Sequence, residues 1–82
     1  MMEIEYSREA LKALQRMDKP TRERILNGVT GLTETPPIGD IKTMQGDRTD
    51  FRLRIGKFRV LYHQEGNTLK IDDIGSRGDI YK

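Results

Sequence analysis

The stretch 51-FRLRIGKFRVLYHQ-64 decides how this chain folds. Alternation sets Phe51, Leu53 and Ile55 on one side of a strand and Arg52 and Arg54 on the other. Gly56-Lys57 has the make-up of a two-residue hairpin turn with glycine first. That turn fixes a register in which Ile55 faces Phe58, Leu53 faces Val60 and Phe51 faces Tyr62, giving one apolar face. The other face opposes Arg54 to Arg59, sets Arg52 across from Leu61 and continues to His63. Like charges directly opposite one another in a sheet cost a few tenths to about 1 kcal/mol. A sequence required only to fold would alternate the signs, so the face reads as a surface for an anion.

Working outward, 65-EGN-67 is a second turn and 68-TLKIDDIG-75 a third strand, with Leu69 and Ile71 alternating against Lys70 and Asp72. Upstream, Glu3–Tyr6 alternates as a short strand and Ser7 is a good helix N-cap. The run 8-REALKALQRM-17 carries Leu11, Leu14 and Met17 on one helical stripe. Pro20 stops that helix and suits the first turn of the next. The second helix is expected from about Thr21 to Leu32, with Ile25, Val29 and Leu32 at helical spacing. Gly28 and Gly31 weaken it by about 1 kcal/mol each relative to alanine. Residues 38–50 read as a connecting segment, with turns at Gly39 and Gly46 and anchors at Ile41 and Met44. The order predicts an α+β fold, one domain over 1–82: a strand, a helical hairpin, then a three-stranded antiparallel meander. The helices cover the apolar face of a small antiparallel sheet and leave the arginines uncovered.

Composition narrows the function classes. The 82 residues hold no cysteine, which excludes disulfides and thiolate metal sites. The N-terminus lacks the basic-then-apolar layout of a secretory signal, and no apolar run has the length of a bilayer span. The expected setting is cytoplasmic. The net charge of +2 is unevenly placed. Residues 1–41 carry six basic and seven acidic side chains, and residues 42–82 carry nine and six. Residues 51–62 hold four basic side chains and no acidic one, a local footprint for a polyanion.

Arg52, Arg54 and Arg59 are the strongest motif. One side of an antiparallel sheet is normally polar, but it usually mixes signs. Arginine offers a rigid fork of donors that fits phosphate oxygens and keeps its charge when desolvated. The second motif is 75-GSRGDIY-81, a glycine-flanked arginine that alone reads as a loop. Placed directly after the third strand, it can carry Arg77 and Tyr81 toward the arginine face. There a tyrosine can stack on a base or take part in proton transfer. His63, the single histidine, falls on the same face as Arg59. Asp72-Asp73 reads as a solvated turn, since no third ligand has metal-site spacing. No serine–histidine–aspartate pattern, phosphate-cradling glycine loop or dinucleotide fingerprint is present.

The runs 51-FRLR-54, 56-GKFRVLY-62, 74-IGSR-77 and Ile80-Tyr81 together resemble the RelE-type toxins of bacterial and archaeal toxin–antitoxin systems. The resemblance covers essentially the whole chain, and related ParE-type toxins share the fold and part of the hairpin motif. It implies a ribosome-dependent endoribonuclease that cuts messenger RNA in the A site. The 2′-hydroxyl attacks the adjacent phosphate and leaves a 2′,3′-cyclic phosphate, with no metal or other cofactor. The family's catalytic positions fall on Arg52, Arg54, Arg59, Arg77 and Tyr81, with Lys57, Arg48 and His63 as further RNA contacts. The expected partners are an acidic RelB-like antitoxin, the 70S-type ribosome and its messenger. The best-known RelE pattern has lysines at the positions of Arg52 and Arg54. Arginine does not surrender a proton, so here those positions supply charge stabilisation only. The ParE alternative is a gyrase poison without chemistry of its own, and a plain RNA-binding module is the third reading.

Overall fold

In the computed structural model, which describes residues 2–44 and 50–76, the quoted stretch is the expected hairpin. The elements in chain order are β1 (Glu3–Tyr6), α1 (Arg8–Gln15), α2 (Lys19–Gly31), β2 (Asp40–Thr43), β3 (Phe51–Ile55), β4 (Phe58–Glu65) and β5 (Thr68–Ser76). β3 and β4 pair in the register set by the turn, Ile55 with Phe58 through Phe51 with Tyr62. Gly56 supplies the positive φ that the turn demands (59°), and no non-glycine among the described residues takes that conformation. Gly66 does the same at the β4–β5 turn.

The fold is α+β, and two features extend the expected meander. β2 is a strand within the segment read as a connection, antiparallel to β3, with Ile41 opposite Leu53. Its sequence, Asp-Ile-Lys-Thr, holds one apolar residue in four positions, too few to show as alternation. Pairing with β3 and the half-burial of Ile41 against the core make it a strand. β1 returns parallel to β5, so the five-stranded sheet, ordered β1-β5-β4-β3-β2, is mixed. The expected turn at Gly46 lies outside the described residues. Met44 donates its backbone N–H to the Asp50 carbonyl.

Both helices pack on the apolar face. Ile25, Val29 and Leu32 of the second helical stripe are buried as expected, together with Leu53, Val60, Tyr62, Leu69, Ile71 and Ile74 of the sheet. On α1 the buried residues are Ala10 and Leu14, while Leu11 is 47% exposed. The buried stripe of α1 therefore keeps Leu14 but takes in Ala10 rather than Leu11 on the side where α1 packs on β5. Gly28 is a contact glycine. A Cβ there would collide with Cδ1 of Ile55, so its absence lets α2 lie against β3 rather than against α1. Arg22 on α2 donates to the carbonyls of Leu14 (3.0 Å) and Met17 (2.8 Å), capping the end of α1 and tying the two helices.

Candidate functional site

With the helices on one face, the register places the arginines on the other. One row across the sheet runs Asp40, Arg54, Arg59, Gly75, and the next runs Lys42, Arg52, Leu61, Asp73. Arg54 and Arg59 are direct cross-strand partners, as the sequence implies. Lys42 joins them because β2 is a strand, and sequence reading missed it for the reason it missed the strand. Arg52 encloses its Nε with no hydrogen-bond partner among the described residues. Four lysine and arginine side chains thus occupy β2, β3 and β4 on this face. The rows end in carboxylates, Asp40 at one edge and Asp73 at the other, so the uniform sign belongs to the hairpin and not to the whole sheet.

The acidic side of the face is ordered by pairing. Lys70 on β5 binds Glu5 on β1 at 2.7 Å, and Asp73 accepts a hydrogen bond from the backbone of Ile74 at 2.9 Å. Asp72 and Asp73 lie within β5, not in a turn. The β4–β5 register shifts between Leu61 and Tyr62, with Leu61 opposite Asp73 and Tyr62 opposite Ile71. Asp72 is the extra residue of this bulge.

His63 lies on the arginine side, two residues beyond Leu61. Its Nδ1 is 2.8 Å from Asp72 Oδ2 and its Nε2 is 2.7 Å from Glu65 Oε2. Carboxylates only accept, so both contacts are satisfied at once only by the imidazolium, which donates from both nitrogens. The Asp72 carboxylate first, then Glu65, holds the His63 pKa above its usual 6.5, against the opposing effect of burial. Glu65 is correspondingly held below the usual carboxylate range by His63. Tyr62, buried in the core and stacked on Phe51 with ring centroids 5.4 Å apart, is pushed up by desolvation.

Lys57 stands at the hairpin tip, its Nζ 5.6 Å from the centroid of the Phe58 ring. It lines a cavity of about 750 Å³ where α1, the start of α2, the hairpin tip and the end of β5 meet. That cavity also takes in Lys12, Arg16, Met17, Asp18 and Ile74; Asp73 and Gly75, at the β5 ends of the two rows, line it, while Lys42, Arg52, Arg54 and Arg59 do not. Arg48, Arg77 and Tyr81 lie outside the described residues. Among the described residues, no group of three or more histidine, aspartate or glutamate side chains is arranged to hold a metal ion, and no helix is long and apolar enough to cross a membrane.

Comparison with known proteins agrees with this architecture. Residues 4–81 match the family model of the ParE toxin of the type II toxin–antitoxin system parDE. The chain superposes on the archaeal RelE–RelB complex from Pyrococcus horikoshii OT3 with a TM-score of 0.74 and 26% identity, covering 95% of this chain and 97% of that one. The RelB–RelE complex of Methanococcus jannaschii gives 0.74 at 22% identity, covering 93% of each chain. The isolated E. coli RelE toxin gives 0.76 at 16% identity, over 99% of this chain and 92% of that one. At those last two identities the likeness is one of fold. No curated protein matches the chain.

Proposed function

From the premise that the chain belongs to the ParE toxin family, within the RelE/ParE superfamily of type II toxin–antitoxin toxins, we propose that it is a ribosome-dependent endoribonuclease. The observation that carries this reading is the direct opposition of Arg54 and Arg59, with Arg52 and Lys42 in the next row, on the face turned away from the helices. In the proposed reaction the 2′-hydroxyl of one nucleotide attacks the adjacent phosphorus. The bond to the 5′-oxygen breaks, leaving a 2′,3′-cyclic phosphate and a 5′-hydroxyl. Arg52, Arg54 and Arg59 bind the phosphate and stabilise the charge that builds on it in the transition state, a term that is often the largest in catalysis. Arg77 adds to that charge by resemblance, and Tyr81 is the candidate base for the 2′-proton. The ribosome holds the messenger in a reactive geometry. No metal takes part, and the work is done in the cytoplasm. The partner that restrains the toxin is an acidic RelB-like antitoxin, in keeping with the RelB chains that accompany the archaeal structural relatives.

The test is primer extension on a messenger translated in a purified system, with and without ribosomes. Cuts within codons that need ribosomes and disappear in Arg54→Ala, Arg77→Ala and Tyr81→Phe support the reading. An intact messenger with folded protein overturns it. The match to the ParE family model favours a second reading, inhibition of DNA gyrase without chemistry. It predicts instead that the same protein blocks gyrase supercoiling and leaves every messenger whole.

A further inference from the structure

Arginine does not exchange protons at neutral pH, so Arg52, Arg54 and Arg59 leave the departing 5′-oxygen without a donor. We propose that His63, positioned by Asp72, is the general acid that protonates this oxygen as the messenger is cut; the inference rests on the endoribonuclease reading above. Arg59, Leu61 and His63 alternate onto one face of β4, and Arg52 on β3 is the cross-strand partner of Leu61. Arg52 is therefore the diagonal neighbour of His63, a separation of about 7–8 Å that long side chains bridge. A phosphate held by the outer nitrogens of the Arg52 guanidinium comes within reach of the imidazole.

The histidine is held as an acid needs to be. The bulge in β5 turns the carboxylate of Asp72 onto Nδ1, and bulges recur beside active sites because they re-aim a side chain in this way. The start of α1 clamps the bulge. Ser7 donates its hydroxyl to the Asp72 carbonyl at 2.7 Å and its N–H to the Ile71 carbonyl at 2.9 Å. With Nδ1 fixed, Nε2 is the working nitrogen, covered at rest by Glu65 at 2.7 Å. The Glu65 side chain is 63% exposed, so it turns into solvent when substrate takes its place. Among the described residues, the charged groups that face His63 are Asp72 and Lys70 from β5, Glu65 from its own strand and Arg52 from β3. Glu5 of β1 reaches it only through its ion pair with Lys70. The two carboxylates in direct contact with the ring favour its protonated form, the form that donates. In the step, the 2′-hydroxyl gives its proton to the base as its oxygen bonds to phosphorus, the P–O5′ bond breaks with its electron pair left on O5′, and the Nε2 proton passes to O5′. The ring leaves neutral and is reprotonated by solvent.

The experiment uses short synthetic messengers placed in the ribosomal A site, one with the normal linkage and one with sulfur replacing the 5′-oxygen at the cut. A thiolate leaves without protonation. His63→Gln is expected to lose about 10²–10⁴-fold on the normal linkage, the usual worth of general acid catalysis, and to recover close to wild-type rate on the sulfur linkage. Asp72→Asn, the positioning variant, is expected to move the alkaline limb of the pH–rate profile to lower pH. An equal loss on both linkages would mean damage to the fold, and no loss on the normal linkage would mean no role; either overturns the inference. If the wild-type protein cuts neither messenger, the nuclease reading itself fails and takes the inference with it.

Discussion

Arg54 stands directly opposite Arg59 across the β3–β4 ladder, in a row that closes with Asp40 on one side and Gly75 on the other. The pair opposes folding and is consistent with a site for an anion. A double-mutant cycle of Arg54→Thr and Arg59→Thr isolates the coupling between them from their other contacts. The coupling is expected to be repulsive, a few tenths to about 1 kcal/mol, and to shrink as salt is raised past about 0.1 M. Denaturant midpoints of the four proteins at low and high salt measure it, and an attractive coupling would show that the face is arranged otherwise. In the messenger assay each single variant should lose about 10²–10³-fold, as the removal of one transition-state donor commonly does.

Gly28 meets Ile55 with no room for a methyl group between α2 and β3. In an exposed helix, alanine for glycine would add up to about 1 kcal/mol of stability. Here that gain is expected to be cancelled, because Ile55 must swing its Cδ1 aside, leaving Gly28→Ala near neutral or costing up to about 1 kcal/mol. Pairing it with Ile55→Ala, which removes the obstructing atoms, should recover part of that loss. Unfolding in urea decides the sign, and a Gly28→Ala protein stabilised by the full helix-propensity gain would mean that Ile55 gives way without cost.

Ser7 holds two pieces of structure with one hydroxyl. Its Oγ accepts from the Ala10 N–H at 3.0 Å, capping α1, and donates to the Asp72 carbonyl at 2.7 Å, fixing the bulge. Ser7→Ala loses both and is expected to cost about 1–2 kcal/mol. For a domain of this size that lowers the melting temperature by roughly 4–8 °C per kcal/mol. Ser7→Gly is expected to restore most of the cap's share and none of the tie's, because glycine serves as a cap but cannot reach Asp72. Calorimetry on the three proteins separates the cap from the tie, and equal melting for Ala and Gly variants would assign the whole effect to the tie.

The residues that were legible in advance are those whose neighbours are set by local rules. A glycine-first turn and a period of two fixed every pair from Phe51–Tyr62 to Ile55–Phe58, and with them the side on which the arginines lie. Two kinds of information were missing. β2 is made by its partner: Asp-Ile-Lys-Thr has no strand signal of its own, so Lys42 could not be placed beside Arg52. The bulge breaks the period of two at Asp72, and a strict alternation cannot foretell which of two adjacent aspartates will turn toward His63. Ala10 in place of Leu11 as the buried residue of α1 is a third case. There the rotation of the helix on the sheet, which hydrophobicity alone does not set, put the smaller side chain inside.

His63 also links stability to pH. With Asp72 and then Glu65 raising its folded pKa above the unfolded value near 6.5, the contribution is fully present below that unfolded value. It declines as pH rises and is lost once pH passes the raised folded pKa. The expected signature is a fall in unfolding free energy from about pH 6 upward that is absent from His63→Gln. Asp72→Asn should remove more of the slope than Glu65→Gln, since Asp72 is the larger cause of the shift and Glu65 is the more exposed partner. Chemical denaturation of the four proteins across this range gives the slopes directly. A wild-type stability that rises with pH in this window would mean that the imidazole is neutral in the folded protein, and would remove the proton that the leaving oxygen is proposed to take.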